Sequence, residues 1–429
     1  MYDSLFSPLA LGGITLRNRV AAVLPESFSE LSAEKLNTLV TKLAEGGAGL
    51  ICISAAHKRS SFELKALCNA AHLNGAYIFA VLPEKRSMIF APRALFCGFD
   101  GLFIRHGEGL RLMGHADVLL SDADDLSPGL ADKLIASGAC SVTALTRSLL
   151  ADPDLCRKLR RGDIDDVRPC LGCRGGCSGN TCACNPGLFY PLPERTDAPC
   201  RMAVIGGGAA AMSFALTAGE RGHTVDIFES ETRLGGQMLN YSAAKDYLYW
   251  LTRRLCRLKN VQIFTGAAFR GGYDTVVCAS DARPLPLPES HDSAPIPVYG
   301  AYDCLSRDFD LAPFWGKRLA VVGSDAASEL YERIEKSGAA RSVTLIKNAE
   351  PLRFEGESLL FKTKNADFSA PLVFAVSCDA LILETKLSPS GDYYRGSIFA
   401  PRVFYIGGAV AVSDISSDIR AGYELALQI

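Results

Sequence analysis

Five cysteines lie within one short glycine-rich stretch, and their type and spacing could bind a metal centre. They are Cys170, Cys173, Cys177, Cys182 and Cys184. Thiolates at such spacing can converge on one soft metal centre, whereas the cysteines of a hydrophobic core have no reason to cluster. An iron–sulfur cluster is the leading interpretation. A structural zinc site and unligated cysteines are the alternatives.

A glycine-rich turn follows the cysteines and has the pattern of a dinucleotide site. The run MAVI predicts a strand that ends at Gly206, and a helix and a second strand ending at Glu229 come next. Gly206 would allow a tight turn, Gly208 would let the backbone approach a pyrophosphate, and Ala211 would permit close helix packing. Glu229 is placed to accept hydrogen bonds from a ribose.

A second, weaker turn of this kind begins at Gly323, between a predicted strand (Lys317–Val322) and a predicted helix (Ala326–Lys336). Asp325 stands where a second glycine would admit a pyrophosphate. Its charge and its side chain oppose phosphate groups there. Lys347 is interpreted as a solvated lysine. Binding of NAD(P)H is therefore not expected at this turn.

Length and composition set the broad class. The chain has 429 residues, which favours two to four domains, and a net charge of -2, which gives no electrostatic case for binding nucleic acid. Fifteen cysteines without a recognisable signal peptide favour a reducing cytoplasm over a disulfide framework. No apolar run is long enough to predict a membrane span.

The first 165 residues alternate short apolar runs with amphipathic stretches, which predicts parallel strands with crossover helices. The predicted strands are Val20–Leu24, Ala48–Ser54, Tyr77–Leu82, Gly101–Ile104, Val118–Ser121 and Ser141–Leu145. The predicted helices are Ala33–Glu45, Phe62–Asn74, Pro92–Cys97 and Pro128–Ser137. An eight-stranded barrel needs about 250 residues. We therefore expect an incomplete barrel with uncovered strand edges.

Several segments of the chain resemble one family of flavoproteins. LFSPLALGGITLRNRV, LAEGGAGLICISAA and TALTRSLLADPDLCRKLRRGDIDDVRPCLGC are similar to segments of the Old Yellow Enzyme-like 2,4-dienoyl-CoA reductase and trimethylamine dehydrogenase family. That resemblance implies an FMN barrel, a [4Fe-4S] loop and an FAD domain with an inserted nicotinamide-binding domain. This barrel is roughly half the family's size, and the missing segment is expected between Leu110 and His115.

The resemblance also implies particular ligands. Cys170, Cys173 and Cys177 match the first three cluster cysteines of the family, and Cys182 matches the fourth, with Cys184 as the alternative. For FAD, the matching residues are those of the fingerprint and of RLGGQ: Gly206, Gly208, Ala211, Glu229, Arg233, Gly235, Gly236 and Gln237. Gly408 stands in place of the family's aspartate, and Asp281 in place of a glycine. FAD is still expected, although more weakly held.

The barrel departs from the family at the positions that would do chemistry. Arg105, Glu108 and Leu110 replace two histidines and a tyrosine, while His106 is one residue out of register. Arg105, His106 and Glu108 are thus only weak catalytic candidates. Apolar residues replace a flavin-contacting glutamine, and acidic residues occupy the expected phosphate turn: Ala80, Val81, Asp122, Asp124 and Asp125. Neither FMN binding, for which Arg147 is a weak phosphate contact, nor alkene reduction is expected.

The expected fold class is α/β, with four parts. They are a truncated (β/α) barrel-like domain (1–165), a cluster loop (166–200), an FAD-type Rossmann domain (201–295 and 380–429) and an inserted nicotinamide-type domain (296–379). The leading functional hypothesis is an electron-transfer or accessory subunit of the NADH:flavin oxidoreductase family. It would pair with a full-length or complementary reductase, or with itself. An active flavin oxidoreductase and a redox-inactive scaffold are the alternatives.

Overall fold

The computed structural model describes residues 2–11, 13–54, 58–83, 87–106, 109–112, 115–121, 127–173, 177, 181–287, 294–306, 309–355, 358–363, 372–391 and 400–429. The chain forms two compact units. The first contains Met1–Arg195 and Tyr249–Arg257, and the second contains Thr196–Leu248 and Leu258–Ile429. Within these described ranges, the helices are all too short or too polar to cross a lipid bilayer.

The first unit alternates strands and helices. Its strands are β1 (Leu9–Leu11), β2 (Ile14–Leu16), β3 (Val20–Leu24), β4 (Leu50–Ser54), β5 (Tyr77–Pro83), β6 (Gly101–His106), β7 (Gly109–Leu112), β8 (His115–Ser121) and β9 (Val142–Ala144). Its helices are α1 (Ala33–Glu45), α2 (Ser61–Leu73), α3 (Ser87–Cys97), α4 (Pro128–Ala136), α5 (Thr146–Ala151) and α6 (Leu155–Arg161). Ser32, Ser60 and Ser127 cap α1, α2 and α4 with their side chains, as expected for serine before a helix.

The described strands β3 to β9 close into a barrel, so the expectation of uncovered strand edges is wrong. Parallel pairs run from β3 through β6, and β8, β9 and β3 are also parallel. Strand β7, which the sequence pattern did not predict, pairs antiparallel with both β6 and β8. A short antiparallel hairpin thus closes the sheet where two strand–helix units were expected to be missing.

The barrel is filled by side chains. Phe79 and Phe103 are almost fully buried, and their ring centroids lie 5.4 Å apart. Apolar residues from the other strands complete this cluster, among them Val23, Leu50, Leu112, Leu120 and Val142. A side chain at Gly101 would lie 2.7 Å from the Phe79 ring, so glycine is needed there to admit that ring. The interior is therefore a packed core, as in small barrels generally.

The second unit contains two α/β folds. Its strands are β10 (Arg201–Ile205), β11 (Thr224–Glu229), β12 (Val261–Thr265), β13 (Thr275–Cys278), β14 (Arg283–Pro284), β15 (Val298–Gly300), β16 (Arg318–Val322), β17 (Ser342–Ile346), β18 (Ala349–Glu355), β19 (Ser358–Thr363), β20 (Val373–Ser377), β21 (Ala380–Leu383), β22 (Leu387–Ser388) and β23 (Arg402–Tyr405). Its helices are α7 (Ala209–Glu220), α9 (Ala301–Leu305), α10 (Asp325–Ser337) and α11 (Ile415–Gln428). Helix α8 (Lys245–Arg257) is divided between the two units.

Two parallel sheets organise these folds. The first has the order β12-β11-β10-β13-β23 and the second the order β15-β21-β16-β17, among the strands described. Strand β21 pairs with β16, so the expected boundary at residues 379/380 is wrong by one strand. The apolar run of β21 identifies a buried strand, but it carries no local signal for which of two sheets it joins.

Helix α7, which follows the fingerprint turn, is buried on all sides and is held by α11. The Ser213 hydroxyl donates to the Ile419 carbonyl at 2.6 Å, and Arg221 donates to the carbonyl of Ala426. Ile419 and Leu425 of α11 are buried, whereas Leu427 is 38% exposed. Since a helix buried all round needs cover on every face, α11 is part of the nucleotide-type fold.

Candidate functional site

The cysteines of the glycine-rich loop approach one another. Cys182 and Cys184 are buried, with their Sγ atoms 3.5 Å apart. Burial raises the pKa of the Cys177 thiol to about 12, and the neighbouring thiols of Cys182, Cys170 and Cys173 raise it further. A hydrogen bond with Cys170 also raises the pKa of Cys184. All five sulfur atoms are therefore close enough for their charges to interact.

The surroundings of Cys182 and Cys184 differ. A hydrogen bond with the Cys184 thiol and the backbone N–H groups of Cys184 and Asn185 lower the pKa of Cys182. Amide groups that point at a sulfur favour its thiolate form, the form that ligates metals. Cys182 therefore has the better surroundings for a thiolate, and its role as the fourth ligand stays a prediction.

Basic side chains hold the loop and lie near its sulfurs. Lys42 of α1 donates to the carbonyls of Gly187, at 2.8 Å, and of Tyr190. Arg168 lies over the Trp250 ring and donates to the Cys184 carbonyl at 3.5 Å. Arg147, the weak candidate for an FMN phosphate contact, lies close enough to Cys177 to lower the pKa of that thiol. Nearby positive charge would favour a negatively charged cluster.

Across the residues placed by the structure, no three His, Cys, Asp or Glu side chains form an arrangement that could hold a metal ion. Residues 174–176 and 178–180, which connect the loop cysteines, lie outside the described part of the chain. The thiols are thus gathered without forming a finished coordination site. Their donor chemistry, several soft thiols beside basic groups, still fits an iron–sulfur cluster.

The barrel candidates are only partly described. Arg105 and His106 end strand β6, but their side chains lie outside the description, as do Glu108, Asp122, Asp124 and Asp125. Ala80 and Val81 are buried in β5, where a flavin-contacting glutamine would stand in the family. The weak catalytic candidates and the acidic turn therefore remain predictions.

The first nucleotide-type fold has the expected turn. Gly206 has a φ of 112°, which glycine adopts readily, and Ala211 is buried at the start of α7. Glu229 ends β11 and accepts from the Glu231 N–H at 2.9 Å, with one carboxylate oxygen beside Gly207. In RLGGQ, Arg233 is exposed, while Gly235 and Gly236 have positive φ angles. Strand, turn, helix and acid are therefore in place.

Asp281 occupies the space that this turn leaves open. Its carboxylate accepts from the Gln237 N–H at 2.6 Å. A Cβ atom added at Gly208 or at Gly236 would overlap its oxygens, so the bare faces of both glycines lie against this carboxylate. Gly208 is the glycine whose missing side chain was expected to admit a pyrophosphate. Gly206, Gly208 and Gly236 form what is here called the first cradle, and with Asp281 in this position it has no room for the pyrophosphate of FAD.

Gly408 packs directly against the backbone of Asp281 and Ala282. A Cβ atom at Gly408 would overlap the Ala282 nitrogen and lie 2.6 Å from the Asp281 carbonyl carbon. The family's aspartate, with a larger side chain, cannot occupy this position while Asp281 and Ala282 keep their places. The two departures from the family pattern, at 281 and 408, are thus structurally linked.

The Asp281 carboxyl sits among other acids. Burial raises its pKa to about 7, and the charges of Asp418 and Glu229 raise it further against the effect of the Gln237 N–H. Burial likewise raises the pKa of Asp418 to about 6. Folding therefore costs free energy when these groups are ionised.

Asp281→Asn is expected to stabilise the protein at pH 8 more than at pH 4.5. The folded chain keeps the Asp281 proton up to about pH 7, whereas an unfolded chain releases it near pH 3.9, so wild-type stability falls as the pH rises between these values. At about 1.4 kcal/mol per pKa unit, the gain at pH 8 exceeds that at pH 4.5 by up to about 3 kcal/mol. Urea denaturation at both pH values measures this, with the exposed Asp197→Asn as control. Equal gains at both pH values would contradict it.

The second nucleotide-type fold is closed by an acid that the sequence reading did not single out. Glu384, directly after β21, accepts from the Ser324 N–H at 2.6 Å and from the Ala327 N–H at 3.0 Å. It also accepts from the Ser324 hydroxyl at 3.2 Å. Asp325, the residue expected to block a pyrophosphate, is exposed in the first turn of α10. The sequence could have identified Glu384 as a site residue from its position directly after an apolar strand.

A cavity of about 530 Å³ lies elsewhere in the second unit. It is lined by residues that follow RLGGQ and by the outer face of α10, among them Leu239, Tyr241, Lys245, Glu329 and Arg333. Neither Gly208 nor Gly323 lines it. The cavity is thus separate from both glycine turns.

Lys347, which follows β17 and was interpreted as a solvated lysine, is exposed.

Comparison with known proteins agrees with this fold. Residues 204–256 match the family of NAD(P)-binding Rossmann-like domains. A bilirubin reductase of Mediterraneibacter gnavus is 40% identical over 345 residues, covering 70% of this chain and 53% of that protein. A metal reductase of Desulforamulus reducens is 29% identical over 245 residues, covering 51% of this chain and 36% of that protein. The chain thus spans about half, or less, of the length of these relatives.

A solved structure gives the same architecture. The complex of a 2-naphthoyl-CoA reductase with 2-naphthoyl-CoA matches with a TM-score of 0.79 at 14% identity, covering 100% of this chain and 100% of that chain. At this identity the match concerns the fold alone. The sequence similarity to the reductase relatives, above all the 40% identity over 345 residues, shows that the chain belongs to the Old Yellow Enzyme-like flavoprotein family of the 2,4-dienoyl-CoA reductases and trimethylamine dehydrogenase.

Proposed function

We propose that this chain is an electron-transfer or accessory subunit that holds an iron–sulfur cluster and does not reduce alkenes itself. The observation that supports the proposal is the grouping of the loop thiols: those of Cys182, Cys170 and Cys173 all lie near enough to Cys177 to raise its pKa. Cys170, Cys173, Cys177 and Cys182 would be the ligands. When bound, such a cluster accepts and releases single electrons.

The chain's own residues would tune that centre. Backbone N–H groups of Cys184 and Asn185 point at the Cys182 sulfur, and Arg147 lies near Cys177. Hydrogen bonds to sulfur and nearby positive charge both favour the more reduced state, because they compensate its added negative charge. Lys42 fixes the end of the loop by its bonds to the carbonyls of Gly187 and Tyr190.

A cluster without a hydride donor on the same chain needs a redox partner. The family implies FAD, yet FAD does not fit the first cradle. A full-length or complementary reductase would therefore supply or accept the electrons. The chain would work in the cytoplasm and would pair with that reductase or with itself.

The test is the metal content of the chain purified without air. We expect about four iron and four sulfide per chain, the content of a [4Fe-4S] cluster, with broad visible absorption that dithionite bleaches. Zinc in place of iron would contradict the proposal and would indicate a structural zinc site. Absence of both metals after anaerobic reconstitution with iron and sulfide would leave a scaffold and refute the electron-transfer role.

Cys182→Ser is expected to reduce the iron content to near zero, whereas Cys184→Ser is expected to retain it. The reason is that amide N–H groups point at the Cys182 sulfur and favour its thiolate, whereas hydrogen bonds with Cys170 and Cys182 raise the pKa of Cys184. Iron analysis of both variants measures the difference, with the buried Cys156→Ala outside the loop as control. The reverse result would assign the fourth ligand to Cys184.

A further inference from the structure

The two nucleotide-type folds of the second unit share one feature. In each, an acid follows the strand that lies beside the fingerprint strand. Asp281 comes after β13, which pairs with β10, and Glu384 comes after β21, which pairs with β16. Because the carboxyl ends of parallel strands meet at one edge of a sheet, both acids emerge next to the glycine turn of their own fold.

In the first fold the acid takes over the contacts of an anion. Asp281 accepts a backbone N–H bond from Gln237, and its oxygens lie against the bare faces of Gly208 and Gly236. Glycine at these positions leaves room and an exposed backbone for a negatively charged phosphate. The Asp281 carboxyl group, ionised or protonated, occupies this space and accepts the Gln237 N–H. While it stays there, the space is closed to a diphosphate.

In the second fold the acid covers a helix N-terminus. Glu384 accepts from two backbone N–H groups in the first turn of α10, those of Ser324 and Ala327. A Cβ atom at Gly323 would overlap a Glu384 oxygen. The N-terminal N–H groups of a helix are the usual donors to a bound phosphate in this fold. Here they are already satisfied by the chain.

From these contacts we infer that each of the two dinucleotide cradles is filled by a carboxylate of the chain itself, Asp281 in the first and Glu384 in the second. As folded, neither cradle accepts the diphosphate of FAD or of NAD(P)H. Two further acids, Glu229 and Asp418, face Asp281 and add to the repulsion of a diphosphate. The inference does not depend on the iron–sulfur cluster.

Binding of FAD to the full chain, purified without air, tests the first cradle. We expect no stoichiometric flavin in the wild-type chain, and affinity at least tenfold higher in Asp281→Gly, measured by titration calorimetry. Asp281→Asn removes the charge but keeps the volume, so it should gain much less than Asp281→Gly. Asp197→Gly, at an exposed position, is the control and should change nothing.

Two results would overturn the inference for this cradle. One is wild-type chain that carries FAD in stoichiometric amount. The other is an Asp281→Gly variant that folds, by circular dichroism, and binds FAD no better than wild type. Iron content is measured on the same samples. Absence of iron would count against the proposed cluster, whereas bound FAD would count against this inference, so the two failures are distinguished.

NADH tests the second cradle in the same way. Glu384→Ala should bind NADH at least tenfold more tightly than wild type, because it frees the N–H groups of Ser324 and Ala327. Glu332→Ala removes another glutamate of α10 that does not contact these groups and should leave NADH binding unchanged. Equal binding by wild type and Glu384→Ala would overturn the inference for this fold.

Discussion

Replacing Phe103 with alanine is expected to lower the free energy of unfolding of the first unit by about 4 kcal/mol, because it removes a large aromatic side chain from a packed interior. Phe103 is 0% exposed and contacts Phe79, with the ring centroids 5.4 Å apart. The barrel wall is hydrogen-bonded on both sides of β6, so it cannot collapse freely onto the cavity. The largest cost of such a substitution arises where collapse is prevented.

The measurement uses the two tryptophans of the chain. Trp250 belongs to the first unit and Trp315, which is 73% exposed, belongs to the second. In a Trp315→Phe background, the fluorescence of Trp250 during urea denaturation reports on the first unit. Phe62→Ala, at a position 84% exposed, is the matched control and should change stability by less than about 0.5 kcal/mol. A loss below about 1 kcal/mol for Phe103→Ala would mean that the barrel interior is not packed as described.

Gly422→Val is expected to destabilise the second unit by about 3 kcal/mol, because it forces α11 away from α7. A Cβ atom at Gly422 would overlap the Ala210 carbonyl oxygen and lie 2.8 Å from the Phe214 nitrogen. These are backbone atoms of α7, which cannot move aside as a flexible side chain would. Separation of the helices would also lengthen the bond from Ser213 to Ile419.

Thermal unfolding followed by circular dichroism measures this loss. Gly271→Val is the control in the same unit, since a Cβ atom there meets nothing within 4 Å. We expect the control to keep the wild-type midpoint. Unchanged stability of Gly422→Val would contradict the close α7–α11 contact, and with it the view that α11 is an integral part of the first nucleotide-type fold.

The chain keeps the architecture of its family, but an acidic side chain lies against each of its two nucleotide-type glycine turns. The barrel interior is filled by apolar side chains, and both glycine turns are covered by carboxylates. The cysteine loop is the place where soft donors and basic groups still come together. That contrast is the structural reason for proposing electron transfer, and not hydride transfer, for this chain.

Features that depend on neighbouring residues could be predicted from the amino-acid sequence. Strand Val20–Leu24 and helix Ala33–Glu45 were predicted with their observed bounds, because apolar periodicity and a capping serine are local signals. The turn at Gly206 was predicted for the same reason, since it needs a residue that tolerates positive φ. The cysteines of the loop were recognisable from spacing alone.

The folded structure was needed to show which distant segments meet. It closed the barrel through β7, a short strand whose pairing depends on two neighbours and not on its own four residues. It joined β21 to the second sheet, and it brought Asp281 to Gly236 and Glu384 to Ser324. A sequence pattern shows that an acidic residue stands at the end of a strand. What that acid contacts is set by which strands pair, and pairing is a property of the whole sheet.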